Sequence, residues 1–240
     1  MTLSLLLLLL SIASFTESLK PQGLRVSFIL GAPLAGKGTQ ASLLVKEFDD
    51  LAHISAGDVL REERETGSQL AELIESYIKE GSIVPVKITL DLIRKKMEKS
   101  EGKSNKFLID GFPRNLDNYN GWMSAMGDVT VDSVLFIECP KEEIIKRMHI
   151  RAQEFGRSDD NLETLEKRLL TFQESTLPVV DIFQKMGLVD RIDAGSRPID
   201  DVYKEVEETL RKRWGRRGSD SESESESWSE FLKARQERSC

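Results

Sequence analysis

The sequence has almost none of the residues from which zinc sites and disulfide frameworks are built. In 240 residues there are two cysteines, Cys139 and Cys240, and two histidines, His53 and His149. Neither a disulfide scaffold nor a thiolate or imidazole zinc site can be assembled from them. It also lacks an apolar run of the ~20 residues that a membrane-spanning helix requires, so no stable membrane span is expected. A basic excess is missing too, since 34 Lys and Arg face 41 Asp and Glu for a formal net charge of -7. That balance excludes a sequence-independent nucleic-acid binder, whose affinity rests on surplus positive charge. Any anion must be gripped locally, by Lys, Arg and backbone amides. The chain is long enough for one α/β domain with a sizeable core.

The two ends differ from the middle. Leu3 to Ile12 is an apolar run followed by the small residues Ala13 and Ser14, which reads as the core of a cleaved targeting segment, with residues 1–24 as leader and linker. No Lys or Arg precedes it, the first being Lys20, so a misassigned start codon or a fortuitous leader stays open as the other reading. At the far end Arg211, Lys212, Arg213, Arg216 and Arg217 are followed by alternating Ser, Asp and Glu from Ser219 to Ser227. Residues 214–240 cannot bury enough apolar surface to offset ordering entropy and are expected to be disordered. Such a tail is either merely solvated or a phosphorylated docking segment.

Between the ends, short apolar runs recur at Val26–Leu30, Leu51–Ile54, Phe107–Ile109, Val131–Ile137 and Leu188–Ile192. Helical spacing fills the gaps, as in Leu70, Leu73, Ile74, Tyr77 and Ile78, then Leu90, Ile93 and Met97. Strands separated by crossover helices predict a parallel sheet covered on both faces, with ligands at the carboxyl ends of the strands.

The first strand runs into Gly31-Ala32-Pro33-Leu34-Ala35-Gly36-Lys37-Gly38-Thr39, and a helix is expected from Lys37 to about Phe48. Successive N–H groups at a helix start form a concave anion site, and Lys37 adds a mobile charge for β and γ phosphates. The pattern G-x-x-x-x-G-K is met, but Gly38 intervenes before Thr39. A second segment, Phe107 to Arg114, carries a strand into Asp110-Gly111-Phe112-Pro113-Arg114. Asp110 is thereby delivered to the same sheet edge, where a carboxylate can hold the hydration shell of Mg²⁺, and Arg114 presents a planar fork to the cleft.

GAPLAGKGTQ, HISAGDVLREER, GSIVPVKIT, FLIDGFPRNLDN, FGRSDDN and LEKR occur in the order and spacing of the nucleoside monophosphate kinases. From about Arg25 to Arg211 the chain resembles the UMP-CMP kinases among them. The resemblance implies an α/β P-loop kinase fold over residues 25–213, with a five-stranded parallel sheet, a helical monophosphate-binding insertion at about 55–85 and a short lid at about 151–161. It implies a monomer that uses ATP and Mg²⁺ to phosphorylate CMP, UMP and dCMP. The family is typically found in the cytoplasm and nucleus, whereas the signal-like start suggests secretory entry or an organelle such as a plastid.

The resemblance also implies roles for residues. Leu34 to Thr39 would cradle ATP phosphates, and Asp110 would hold the metal through water. Arg61 and Arg114 would take the acceptor phosphate, beside Gly111, Phe112 and Pro113, while Ser82, Ile83 and Val84 would line the base and ribose pocket. Asn118 aligns with the amide that reads the pyrimidine. Arg147 would stack on adenine, with Arg197 in the loop that receives it. Arg151, Arg157 and Arg168 would clamp the transferring phosphoryl group, making Lys37, Arg114, Arg151, Arg157 and Arg168 the catalytic set. Each has a plainer reading: Arg61 as a surface partner of Glu62 or Glu65, Ile83 and Val84 as core, Asn118 as a helix cap. Asp159 and Asp160 are either lid partners of the arginines or caps of a helix starting near Leu162.

Two positions depart from the family pattern. Leu34 stands where Gly is usual, which costs about 1 to 2 kcal/mol if the position requires φ > 0. Ala152 stands where relatives have Gly, stiffening a hinge. These departures keep open a weakly active or inactive nucleotide-binding module. An adenylate kinase is the other alternative, against which Asn118 and the short lid argue.

Overall fold

Continuous apolar runs make the inner strands of the sheet, and short, more polar ones make its edges. The structure, a computed structural model, describes residues 23–100, 104–127, 129–155 and 161–215. The leader before residue 23, the acidic tail beyond residue 215, and Arg157, Asp159 and Asp160 of the lid lie outside them. Trp214 and Gly215, expected in the disordered tail, instead end the last helix, because the Trp214 ring packs on Phe48. Strands β1 (Arg25–Gly31), β2 (Leu51–Ser55), β3 (Lys106–Asp110), β4 (Thr130–Glu138) and β5 (Val189–Asp193) form one parallel sheet in the order β2-β3-β1-β4-β5. In β1 and β4 every residue but the two ends is buried, whereas β5, at an edge, has exposed positions. Only a strand covered on both faces can be apolar throughout.

One face carries α4 (Val86–Ser100), α5 (Leu116–Ala125) and α8 (Leu177–Lys185), which close over Phe28, Phe112, Tyr119, Trp122 and Phe183. The opposite face carries α1 (Lys37–Glu47) and α9 (Ile199–Gly215), packed around Ile29, Leu44, Leu135, Ile192 and Val206. Between β2 and β3, α2 (Ala56–Arg64) and α3 (Gln69–Glu80) form a small insertion whose own core is Leu60, Ile74 and Val84. Leu73, expected on the buried face of α3, is 44% exposed, because Leu70, Tyr77 and Ile78 already cover that core from the same stripe. After β4 come α6 (Lys141–Phe155) and α7 (Leu162–Thr171). Ala152 lies within α6, so the position expected to stiffen a hinge is helical. The cap of α7 is Asn161, whose Oδ1 accepts from the Thr164 N–H at 2.9 Å. Asp159 and Asp160 are therefore not the caps of that helix.

The first loop leaves the sheet where β1 and β4 come closest. Gly31 has φ of 150°, and a Cβ there would fall against the Ile137 carbonyl, far inside contact distance. The obstacle is backbone in the centre of the sheet, which cannot swing aside. Gly31→Ala should therefore destabilise the fold by about 3 kcal/mol, whereas Gly127→Ala, where a Cβ meets nothing within 4 Å, should stay within about 0.5 kcal/mol. Urea unfolding of the two variants checks this; equal midpoints would show that the strands can separate at no cost.

Candidate active site

The carboxyl ends of β1 and β3 open into a cavity floored by the glycine loop. The outer part is lined by Leu34, Gly36, Lys37, Gly38, Ser55, Asp58, Arg61, Asp110, Arg114, Arg151 and Arg168. An inner part, reached past Lys37, Arg114 and Arg168, is lined by Ser82, Ile83, Gly111, Thr171, Phe172 and Thr176. Five cationic side chains from β1–α1, α2, the β3 loop, α6 and α7 thus meet in one place, although Lys37 and Arg168 are more than half the domain apart in sequence.

Lys37 is half-buried, and its Nζ donates to the carbonyls of Gly31 at 3.0 Å and Ala32 at 2.8 Å. Burial, above all, lowers its pKa from 10.5 to about 8; Asp110 opposes the shift, and Arg114, Arg168 and Arg151 add to it. The loop around it is kept open by Gly36 (φ 104°) and by Leu34, which is left-handed at φ 64°. Asp110 ends β3 with its carboxylate within 4 Å of where a Cβ on Gly38 would lie, at the start of α1.

Arg114 is held three ways. Its Nε donates to the Gly111 carbonyl at 2.6 Å, its backbone N–H donates to Asn118 Oδ1 at 3.2 Å, and its carbonyl accepts from Thr176 Oγ1 at 2.8 Å. Asn118 is 2% exposed and is not among the residues lining either cavity. The helix cap itself is Asn115, which accepts from the Asn118 N–H at 2.8 Å. Asn118 Oδ1 thus serves the turn that carries Arg114.

Arg61 pairs with Asp58 one turn earlier, not with Glu62 or Glu65 as its plainer reading has it; Glu62 pairs instead with Lys96. Residues three apart share a helix face and adjacent ones do not, so the D-x-x-R spacing was the available signal. Its guanidinium lies 3.2 Å from where a Cβ on Gly57 would stand.

Arg147 donates to four carbonyls: Leu34 and Ala35 in the first loop at 3.4 and 3.0 Å, and Ala194 and Gly195 after β5 at 2.7 and 2.9 Å. It therefore ties the phosphate loop to the loop beyond β5. Arg197 turns away from the cavity, to the Asp193 and Asp201 carbonyls and to Glu205. Ala35 and Phe112 are core residues, the latter packed on Phe28 and Trp122, so any contact they make with a ligand falls to their backbone. Val84 belongs to the insertion's core and also lines a small cavity with Arg61, Ser82, Arg114 and Arg168, while Ile83 lines the inner cavity. Thr39 is exposed on α1.

Several neighbours of the site escaped the sequence reading, among them Ser55, Asp58, Thr171, Phe172 and Thr176. Another is His53, whose Nε2 lies 4.0 Å from Asp110 Oδ2 and whose pKa is lowered, chiefly by burial. Its signal was position, two residues before Ser55 on the same strand face.

Leu34 offers a direct test of loop strain. Its side chain packs on Ala32, Ile144, Met148 and Leu165, so glycine loses packing but relieves the left-handed backbone, whereas alanine loses packing and keeps the strain. Leu34→Gly should be more stable than Leu34→Ala by about 1 kcal/mol. Melting temperatures of both variants measure it; an alanine variant as stable as the glycine one would remove the strain argument.

Comparison with known proteins agrees with this geometry. The adenylate kinase family pattern matches residues 29–188. A UMP-CMP kinase of Danio rerio is 50% identical over 199 residues, covering 81% of this chain and 99% of that protein. Those of Gallus gallus and Homo sapiens are each 50% identical over 186 residues, covering 75% of this chain and 94% of theirs. The chain belongs to the adenylate kinase family and, within it, to the UMP-CMP kinases.

Proposed function

We propose that the protein transfers the γ-phosphoryl group of ATP to the phosphate of CMP or UMP, with dCMP as a further acceptor. The observation that carries this reading is the meeting of Lys37, Arg61, Arg114, Arg151 and Arg168 around one cavity whose deeper end is lined by Ser82, Ile83 and Phe172. Phosphoryl transfer spreads negative charge over oxygens at the reacting centre, and prepositioned cations stabilise that charge more than the ground state.

Each residue then has a task. The N–H groups from Leu34 to Thr39 and the Lys37 ammonium hold the β and γ phosphates of ATP. Arg61 and Arg114 grip the acceptor phosphate, whose own oxygen is the nucleophile, so no strong general base is needed. Arg151, Arg168 and Arg157, the last outside the described residues, close on the moving phosphoryl group. The in-plane N–H groups of Arg147 are spent on carbonyls, and its flat face is the part available to stack on adenine.

The residues fit a magnesium ion held mainly by substrate. Mg²⁺ keeps several waters and needs only one or two protein carboxylates beside the phosphates. Among the described residues no group of three or more His, Cys, Asp or Glu could hold a metal, and Asp110 beside the start of α1 supplies the one carboxylate. When bound, such an ion would supply positive charge that offsets that of the phosphates. Asp110 would orient its waters.

Membership of the UMP-CMP kinases supports the choice of base. Asn118 lines neither cavity and would act on that choice through its bond to the Arg114 N–H. Among the described residues no helix is long and apolar enough to cross a membrane. An inactive module is not favoured, since Leu34 leaves every described cation of the site in place.

CMP and UMP should exceed AMP and GMP in kcat/KM by at least about a hundredfold, and Asn118→Ala should narrow that ratio. A coupled ADP-release assay over the four acceptors measures both; equal values for AMP and CMP would overturn the specificity.

The pH dependence follows from Lys37. With its pKa lowered to about 8 in the unliganded protein, kcat/KM for ATP should fall above pH 8, by about tenfold per unit. Bound phosphates favour the charged ammonium, so kcat should hold to higher pH. Profiles of both parameters from pH 6 to about 10 test this, and a kcat/KM that stays level to the alkaline end would refute it.

A further inference from the structure

We propose that Thr176 is a positioning residue for the acceptor site: presented by a π turn, its hydroxyl fixes the backbone of Arg114 and sets that arginine opposite Arg168. The proposal rests on Arg114 gripping the acceptor phosphate.

From Leu162 to Lys185 the chain is one helical rod, α7 and α8 joined by a π turn over Phe172–Thr176. Pro178 explains the turn. It cannot donate a hydrogen bond, and its ring crowds the carbonyl four residues back. The rod widens instead, and the Leu177 N–H donates to the Phe172 carbonyl five residues away.

The extra residue changes which side chains share a face. On an unbroken α-helix, positions eight apart are offset by about 80° around the axis. A π turn absorbs one residue, about 100°, leaving Arg168 and Thr176 about 20° apart, like positions one heptad apart. Both accordingly line the inner cavity. An unbroken helix would carry the hydroxyl off that face.

The hydroxyl does not serve its own helix. A threonine within a helix commonly bonds back to a carbonyl one turn earlier, as Thr171 does to Lys167 at 2.9 Å. Thr176 makes no capping bond for α8; its Oγ1 donates 2.8 Å to the Arg114 carbonyl, 62 residues away, and the residue is 6% exposed. With Asn118 on the Arg114 N–H, the arginine is gripped on both sides of its Cα. One rod thus carries a guanidinium and, two turns on, the group that aims its partner.

The test compares Thr176→Val, Thr176→Ser and Thr176→Ala in the full chain, measuring kcat, KM for CMP, KM for ATP and melting temperature, with Arg114→Ala alongside. We expect valine and alanine to lower kcat/KM for CMP by about tenfold, the scale of one lost hydrogen bond. Serine should restore it to within about twofold, and KM for ATP should stay within about twofold throughout. A merely structural threonine would move melting temperature and both substrates together. If valine unfolds the protein, serine against alanine carries the same comparison. Unchanged CMP kinetics in both hydroxyl-free variants, or a loss that serine shares, overturns the proposal. If Arg114→Ala loses activity while Thr176→Val does not, the positioning role fails and the acceptor reading stands. If Arg114→Ala keeps normal CMP kinetics, the acceptor reading fails and the positioning role with it.

Discussion

Crowded positive charge is the constraint around which this structure is arranged. Burial lowers the pKa of Lys37, and the neighbouring charges of Arg114, Arg168 and Arg151 add to the shift. Asp58 pairs with Arg61, and Asp110 faces the start of α1. Carbonyl oxygens orient several of the cations. Lys37 rests on Gly31 and Ala32, Arg114 on Gly111, and Arg147 on four carbonyls of two loops. Carbonyls orient cations without cancelling their charge, so an arriving polyphosphate meets both the field and the geometry.

That arrangement needs rigid supports, and the sheet provides them. Buried on both faces, β1 and β3 deliver the glycine loop and Asp110 side by side in register, Ile29 opposite Asp110. The helical rods beyond β4 contribute arginines from the other side. Leu34 links the two halves, because its side chain lies on the cluster of Ile144, Met148 and Leu165 from α6 and α7. The strained residue in the loop is therefore also a packing contact with the helices that carry Arg151 and Arg168. Its left-handed backbone and its apolar side chain act in opposite directions on stability.

Much of this is legible in the chain itself, for reasons that differ by residue. The five strands appear as apolar runs because buried parallel strands leave no room for polar side chains. A positive φ at Leu34 is expected from its place in the loop pattern, and the structure has it at 64°. Partners are harder to read. For Arg61 the sequence offers Glu62 or Glu65, and the structure has Asp58; Asp159 and Asp160 are candidate caps of α7 by sequence, and Asn161 holds that place. Local hydrogen bonds compete within a few residues, and backbone geometry selects among candidates of similar chemistry. Phe112, two residues before Arg114 in the chain, is core, because the turn after Asp110 directs its ring inward onto Phe28 and Trp122.

By itself the sequence determined the class of fold, the phosphate loop, and the kinds of group that would meet an anion. Those come from local periodicity, from glycine where the backbone needs it, and from the scarcity of any other reactive chemistry. Only the tertiary structure decided that the Thr176 hydroxyl meets the Arg114 carbonyl, that Arg147 bridges two loops 47 and 112 residues from it in the chain, and that Asn118 Oδ1 accepts from the Arg114 N–H. Such contacts depend on how helices pack across the sheet and on one wide turn that rotates the helix beyond it. Sequence separation carries no record of that rotation, because it is set by the sum of all the packing around it.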